Sequence, residues 1–178
     1  LERVEKGLHG FRYEAISVGE FVTRAVELNS AYAMKYSVDV VVKPIASDIL
    51  IWVDADRLMQ VMTNLMSNAA KFSPPGTSVE ISADASDSHV RILVKDSGAG
   101  VPPEFRTRIF QRFAQAESLD RRQRSGSGLG LSISKALIER MSGEIGYESH
   151  PGAGAVFFVK IPRASGVNAP QIEHQASD

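Results

Sequence analysis

QVMTNLMSNAAKF, residues 60–72, decides how this chain is read. Together with Leu58, the apolar residues Val61, Met62, Leu65 and Met66 keep the three-to-four-residue spacing of a helix that buries one side. At about 100° per residue, Gln60, Asn64, Asn68 and Lys71 fall within roughly 80° of one another, so a polar stripe runs beside the apolar face. Asn is a poor interior helix residue because its amide competes for backbone hydrogen bonds. A single Asn there reads as a solvated surface position. Two of them four apart, followed by a lysine able to meet a phosphate, point to a ligand along the helix. Asp54 is placed to cap this helix, which runs to about Phe72. The following SPPGT ends it, since its prolines lack donors and clash with continued helix.

Outward from this helix, element types alternate. Ser17 and Glu20 have the spacing of a capping box, opening a helix through Phe21, Ala25, Leu28 and Tyr32. VDVVVKP and ILIWVD read as strands, with Ala-Ser-Asp between them as a turn. SVEISADA and VRILVKD read as paired strands joined through SDSH. A short helix follows Pro103, and a last helix spans about Leu129 to Met141 before the closing strands EIGYES and AVFFVKI. AQAESLDRRQRSGSG is polar and basic without apolar period, a long loop of the kind that serves function and is expected to be mobile without ligand. This order predicts an α+β, two-layer α/β sandwich, with helices on one face of a mixed, mainly antiparallel sheet.

Composition narrows the function classes. With 178 residues, 43% of them hydrophobic, the chain can bury one good core. A net charge of -1 gives no electrostatic case for nucleic acid or an anionic membrane. Cysteine is absent, which excludes disulfides and thiolate metal sites. The histidines at 9, 89, 150 and 174 are too dispersed in sequence for a zinc cluster, and no run approaches the roughly 18 apolar residues of a membrane span. A cytoplasmic domain is expected, whether or not the full-length protein carries a membrane anchor. The chain starts with Leu inside an apparent helix end, LERVEKG, so a piece of a longer protein is expected. Residues 1–16 read as helix end and linker, 17–163 as the folded domain, and 164–178 as a disordered tail.

Two further segments carry chemistry. In DSGAGVP, Asp96 follows a strand and can accept a hydrogen bond from an exocyclic amine such as that of adenine, while Gly98 allows close backbone approach. The same residues also suit an ordinary strand-end turn in which Asp96 caps local amides, and the motif alone does not choose. In SGSGLGLSI, Gly126, Gly128 and Gly130 precede and open a helix, where free amides and the helix dipole favour anions. The segment lacks the lysine of a P-loop.

In this order and at these intervals, NLMSNAAKF, DSGAGVP, IFQRF and GSGLGLSI resemble the N box, first glycine box, F box and second glycine box of the sensor histidine kinases. These kinases belong to the wider gyrase, heat-shock chaperone and mismatch-repair ATPase superfamily, whose ATP-binding fold is the Bergerat type. The similarity runs from about Ser17 to Pro162. LERVEKG also resembles the end of the second helix of the dimerisation and phosphoacceptor domain, but the acceptor histidine box is missing.

The resemblance implies ATP and Mg²⁺ as cofactors and gives roles to residues. Asp96 would bind the adenine amine, with Gly98 and Gly100 shaping the floor. Asn68 would hold Mg²⁺ on the phosphates with Asn64 assisting, Lys71 would contact phosphate and Phe72 would pack near the nucleotide. Ile109, Phe110 and Phe113 would anchor the lid. Gly126, Gly128, Leu129, Gly130 and Leu131 would wrap the phosphates. Arg121, Arg122 or Arg124 would offer a cation to the terminal phosphate, with Arg124 favoured for its closeness to Gly126. With Asn64 and Lys71, Arg124 completes the catalytic set.

The sequence also departs from the family's patterns. Hydrolytic relatives carry a Glu where this helix has Asn64, so water attack should be slow here. Ala155 stands where Thr or Ser is common, and Met141 and Ser142 where His and Gly are frequent. The implied function is phosphoryl transfer from ATP to a histidine on a dimerisation domain outside this chain, with a response regulator downstream. The full-length protein would be a homodimer and the fragment a monomer. The alternative is a nucleotide-binding regulatory module, either a degenerate kinase or an anti-sigma-type serine kinase.

Overall fold

The computed structural model describes residues 10–114 and 127–164. Elements follow in the order β1 (Glu14–Ser17), α1 (Val18–Tyr36), β2 (Asp39–Val42), β3 (Leu50–Val53), α2 (Ala55–Phe72), β4 (Ser78–Ala85) and β5 (His89–Lys95). A single 3₁₀ turn at Pro103–Phe105 then precedes α3 (Gly130–Arg140), β6 (Glu144–Ser149) and β7 (Ala155–Pro162). Five strands form one sheet in the order β2-β4-β5-β7-β6, antiparallel except for the parallel β2–β4 pair. Every second residue along its strands faces the helices. Val79, Ile81, Val90, Ile92, Val94, Val159 and Ile161 thus join Val22, Leu58, Met62 and Ile138 in one core. This is the expected two-layer α+β arrangement.

Local chemistry sets the helix ends. Ser17 caps α1 by accepting the Glu20 N–H at 3.4 Å, and Ser37, at φ 55°, ends it by returning its N–H to the carbonyls of Ala33 and Met34. Asp54 caps α2 with Oδ1, which accepts the Arg57 N–H at 3.0 Å, while Oδ2 accepts the Arg12 N–H at 2.9 Å. Burial pushes the Asp54 carboxyl up, but these N–H bonds and the Arg57 charge hold it below the usual aspartate range. Ser142, at φ 56°, occupies the left-handed region where a glycine is common, and Met141 is in the core.

Three features differ from the sequence reading. A strand, β1, precedes α1 and pairs antiparallel with β3 in a separate two-stranded sheet. Consequently β2 and β3, although adjacent in sequence, lie in different sheets. The inward face of α1 is made by Val18, Phe21, Val22, Ala25 and Asn29, whereas Leu28 and Tyr32 are 61% and 41% exposed. Asn29 is buried because its Nδ2 donates to the Ala25 carbonyl at 2.8 Å and to Thr63 Oγ1 of α2 at 3.2 Å. Residues 1–9 with LERVEKG, and the expected tail from 165, lie outside the described residues. Among the described residues no helix is long and apolar enough to cross a membrane.

Candidate nucleotide site

Asp96 follows the last residue of β5 and is 6% exposed. Its Oδ1 accepts two backbone N–H groups, from Gly98 at 2.8 Å and from Ala155, at the start of β7, at 3.1 Å. Both bonds fall on one oxygen. Oδ2 carries no hydrogen bond from the described residues and remains an acceptor beside the cavity that Asp96 lines. Burial raises the Asp96 carboxyl above the ordinary aspartate range, with the two N–H bonds pulling the other way. The floor beneath it is backbone. Gly154, at φ 77°, lies so close to the Asp96 carbonyl that a side chain there would collide with it. Ser149 fastens the neighbouring loop, its Oγ accepting the Val101 N–H at 2.7 Å and donating to the Gly154 carbonyl at 3.3 Å.

The polar stripe of α2 lines the same cavity, of about 460 Å³, within the range of about 300–1,000 Å³ usual for small-molecule sites. Asn64, Asn68, Lys71 and Phe72 line it together with Asp96, Gly98, Gly100, Gly128, Gly130 and Leu131. Gln60, in the same stripe, is exposed and is not among the lining residues. Lys71 Nζ lies 5.0 Å from the Phe72 ring centroid, and burial lowers the ammonium's affinity for its proton. Asn64 turns its amide toward α3, where Nδ2 donates to Ser134 Oγ at 3.0 Å. Asn68 lines the cleft one turn further on. Its amide oxygen suits Mg²⁺, which keeps to oxygen ligands and is commonly held by one or two protein groups plus substrate phosphates. Among the described residues no group of three His, Cys, Asp or Glu side chains could hold a metal ion by itself.

The structure separates several residues that the sequence grouped. Leu129 immediately precedes α3 and is not a lining residue. Ile109 is buried and Phe110 half-buried in a small second core, where Phe110 meets Tyr147 with ring centroids 6.1 Å apart. Phe113 instead is 72% exposed at φ 60°. Its N–H donates to the Gly128 carbonyl at 2.9 Å. Arg121, Arg122, Arg124 and Gly126 lie outside the described residues. Three features of the site escaped the sequence reading: the Ala155 N–H, Ser134, and the cleft wall contributed by Tyr32, Lys35 and Tyr36 of α1. Ser134 was detectable, since residues 131, 134 and 138 share one face of α3.

A buried carboxylate over a backbone floor, an amide-lysine stripe and a glycine-opened helix around one cavity define a nucleotide-binding α/β sandwich. The family described as histidine kinase-, DNA gyrase B- and HSP90-like ATPase matches residues 53–165, and the chain belongs to it. Within that family it is an ATP-binding domain of the sensor histidine kinase type. Sensor protein SrrB of Staphylococcus aureus is 38% identical over 110 residues, covering 62% of this chain and 19% of SrrB. The chain therefore spans about a fifth of that relative's length. Full-length ShkA, solved with AMPPNP, superposes with a TM-score of 0.74 at 31% identity, covering 89% of this chain and 33% of ShkA. The nucleotide-free catalytic domain of histidine kinase ThkA gives 0.74 at 26% identity over 86% of this chain and 99% of that domain. ThkA has also been solved with the response regulator TrrA, at 25% identity and a TM-score of 0.70 over 85% of this chain and 42% of ThkA.

Proposed function

We propose that this chain binds ATP with Mg²⁺ and transfers the terminal phosphoryl group to a histidine on a dimerisation domain outside residues 1–178. The observation that carries this reading is the pairing, in one cavity, of the Asp96 oxygen left open by its two N–H bonds with Asn68 and Lys71 of α2. Asp96 Oδ2 accepts the adenine amine. Asn68 contributes an oxygen to Mg²⁺, Lys71 meets phosphate, and the first amides of α3 face the anionic end. Bound Mg²⁺ neutralises charge on the phosphates. In the transfer the bond between the terminal phosphorus and the ADP oxygen breaks as a bond to the neutral imidazole nitrogen forms, and ADP leaves. The chain's part is positioning and charge stabilisation. Asn64 supplies no base, since an amide takes no proton at neutral pH.

Residues 17–163 form the catalytic unit in this reading, with the segment before them leading from the dimerisation domain. The full-length protein is a homodimer acting in the cytoplasm, with a response regulator as its downstream partner. That ThkA has been solved with TrrA supports the last point. Arg124 offers its cation to the terminal phosphate. Calorimetry tests the binding step: the chain takes up ATP with an affinity that rises when Mg²⁺ is added, and Asn68→Ala abolishes that rise. Absence of ATP binding with and without Mg²⁺ overturns the reading.

A further inference from the structure

We propose that Ser134 is a positioning residue for the nucleotide's phosphates, acting through Asn64 to hold the first turn of α3 against α2. The inference rests on the nucleotide reading of the cleft. Ser134 is 2% exposed, and its Oγ accepts from Asn64 Nδ2 at 3.0 Å. The same Asn64 amide packs on Gly130 so closely that any side chain at 130 would overlap its oxygen, and a Cβ there would lie 2.9 Å from Asn64 Cγ. One side chain of α2 thus engages α3 at its first residue and again one turn later.

The consequence lies in the backbone donors at the start of α3. Its first helical bond runs from the Ile133 N–H to the Leu129 carbonyl at 3.0 Å, so the N–H groups of Gly130, Leu131 and Ser132 precede any intrahelical partner. Gly130 and Leu131 line the cavity that Asn68 and Lys71 also line. Whether those donors and the α2 stripe converge on one phosphate depends on the separation of α2 and α3 at this level. The hydrogen bond to a buried hydroxyl fixes that separation more tightly than apolar packing, because an Asn64 amide without its acceptor is driven toward water. The Asp96 end is held by β5 and β7 and does not depend on this contact.

Ser134 should therefore matter for phosphates and not for the base. Titration calorimetry of the 178-residue chain with ATP and with adenosine separates the two. Ser134→Ala is expected to weaken ATP about two- to tenfold, the worth of one hydrogen bond, and to leave adenosine unchanged. Ser134→Cys, of similar size but a poor acceptor, should behave like Ser134→Ala if the bond matters and like wild type if only volume does. In an Asn64→Ala background, Ser134→Ala should cost nothing further. Unchanged ATP affinity in Ser134→Ala, equal losses for ATP and adenosine, wild-type behaviour of Ser134→Cys, or additive losses in the double variant overturns the proposal. Failure of the wild-type chain to bind ATP removes the nucleotide reading itself, a separate outcome.

Discussion

Asp96→Asn should do more than weaken binding; it should change which base is preferred. In the native site Oδ1 accepts the N–H groups of Gly98 at 2.8 Å and Ala155 at 3.1 Å. Those two donors dictate how an Asn amide sits, with its oxygen at the Oδ1 position and its NH₂ at the Oδ2 position. The NH₂ then faces the adenine amine, donor against donor. Loss of a hydrogen bond to a charged acceptor costs about 1.5–3 kcal/mol, roughly ten- to over a hundredfold in Kd for ATP. Inosine triphosphate carries a carbonyl oxygen where ATP has the amine, so the variant should hold it more tightly than wild type does. The fold should survive, since the replacement is isosteric and both backbone bonds remain. Calorimetry with ATP and inosine triphosphate on both proteins gives four affinities. Unchanged ATP affinity in Asp96→Asn, or no shift in the preference between the two nucleotides, refutes the reasoning.

Acidification should act on Asp96 with two opposite signs. The ionised carboxylate is the stronger acceptor for the adenine amine, and burial raises its pKa, so adenosine affinity should fall at a higher pH than an ordinary aspartate would give. For the ligand-free fold, stability contributed by the protonated group is present below the unfolded-state pKa of about 3.9 and is lost as pH rises through the raised folded value. Pairwise melts and titrations of wild type and Asp96→Asn between pH 4 and 8, ~0.5 unit apart, isolate both effects. Leu58→Ala, at a fully buried core position of α2, should cost about 2–5 kcal/mol in denaturant unfolding. A cost below about 1 kcal/mol would show that α2 is not packed as described. Gly154→Ala should destabilise by more than about 1 kcal/mol, through both φ 77° and the collision with the Asp96 carbonyl, and a neutral result would contradict the floor geometry.

The parts of this fold that were legible in the sequence are those where periodicity and chemistry coincide. In α2, apolar spacing, the Asp54 cap and the proline stop all gave the same helix. The β4–β5 pair was equally plain, because a short polar connector joins two alternating runs. Pairing across the chain was less visible. β1 is only EAIS, too short for a periodicity signal beside the capping residues of α1; nothing local shows that its partner is β3 or that β2 joins β4 in parallel. The buried face of α1 is not legible in the sequence, because Leu28 and Tyr32 are apolar by type, whereas burial of Asn29 draws on Thr63, a residue 34 positions away. The site followed the same rule. Asp96, Asn68 and Lys71 were named by residue type and motif. The Ala155 N–H is main chain and has no residue-type signal, and Ser134 became meaningful only when α3 was laid against Asn64.

Transfer to histidine is the central claim, and radiolabelled ATP tests it most directly. The chain is incubated with γ-labelled ATP and Mg²⁺, first alone and then with a histidine-bearing helical dimerisation domain of the same protein. Because no acceptor box is present and Asn64 offers no base to activate water, the chain alone should neither label itself nor release phosphate rapidly. With the helical domain, label should appear on that domain only, be labile to acid and stable to base, and form faster as acceptor concentration rises, since no tether supplies a local concentration. Label on the chain itself, or phosphate release unaffected by the added domain and fast enough to consume the ATP, would contradict the account.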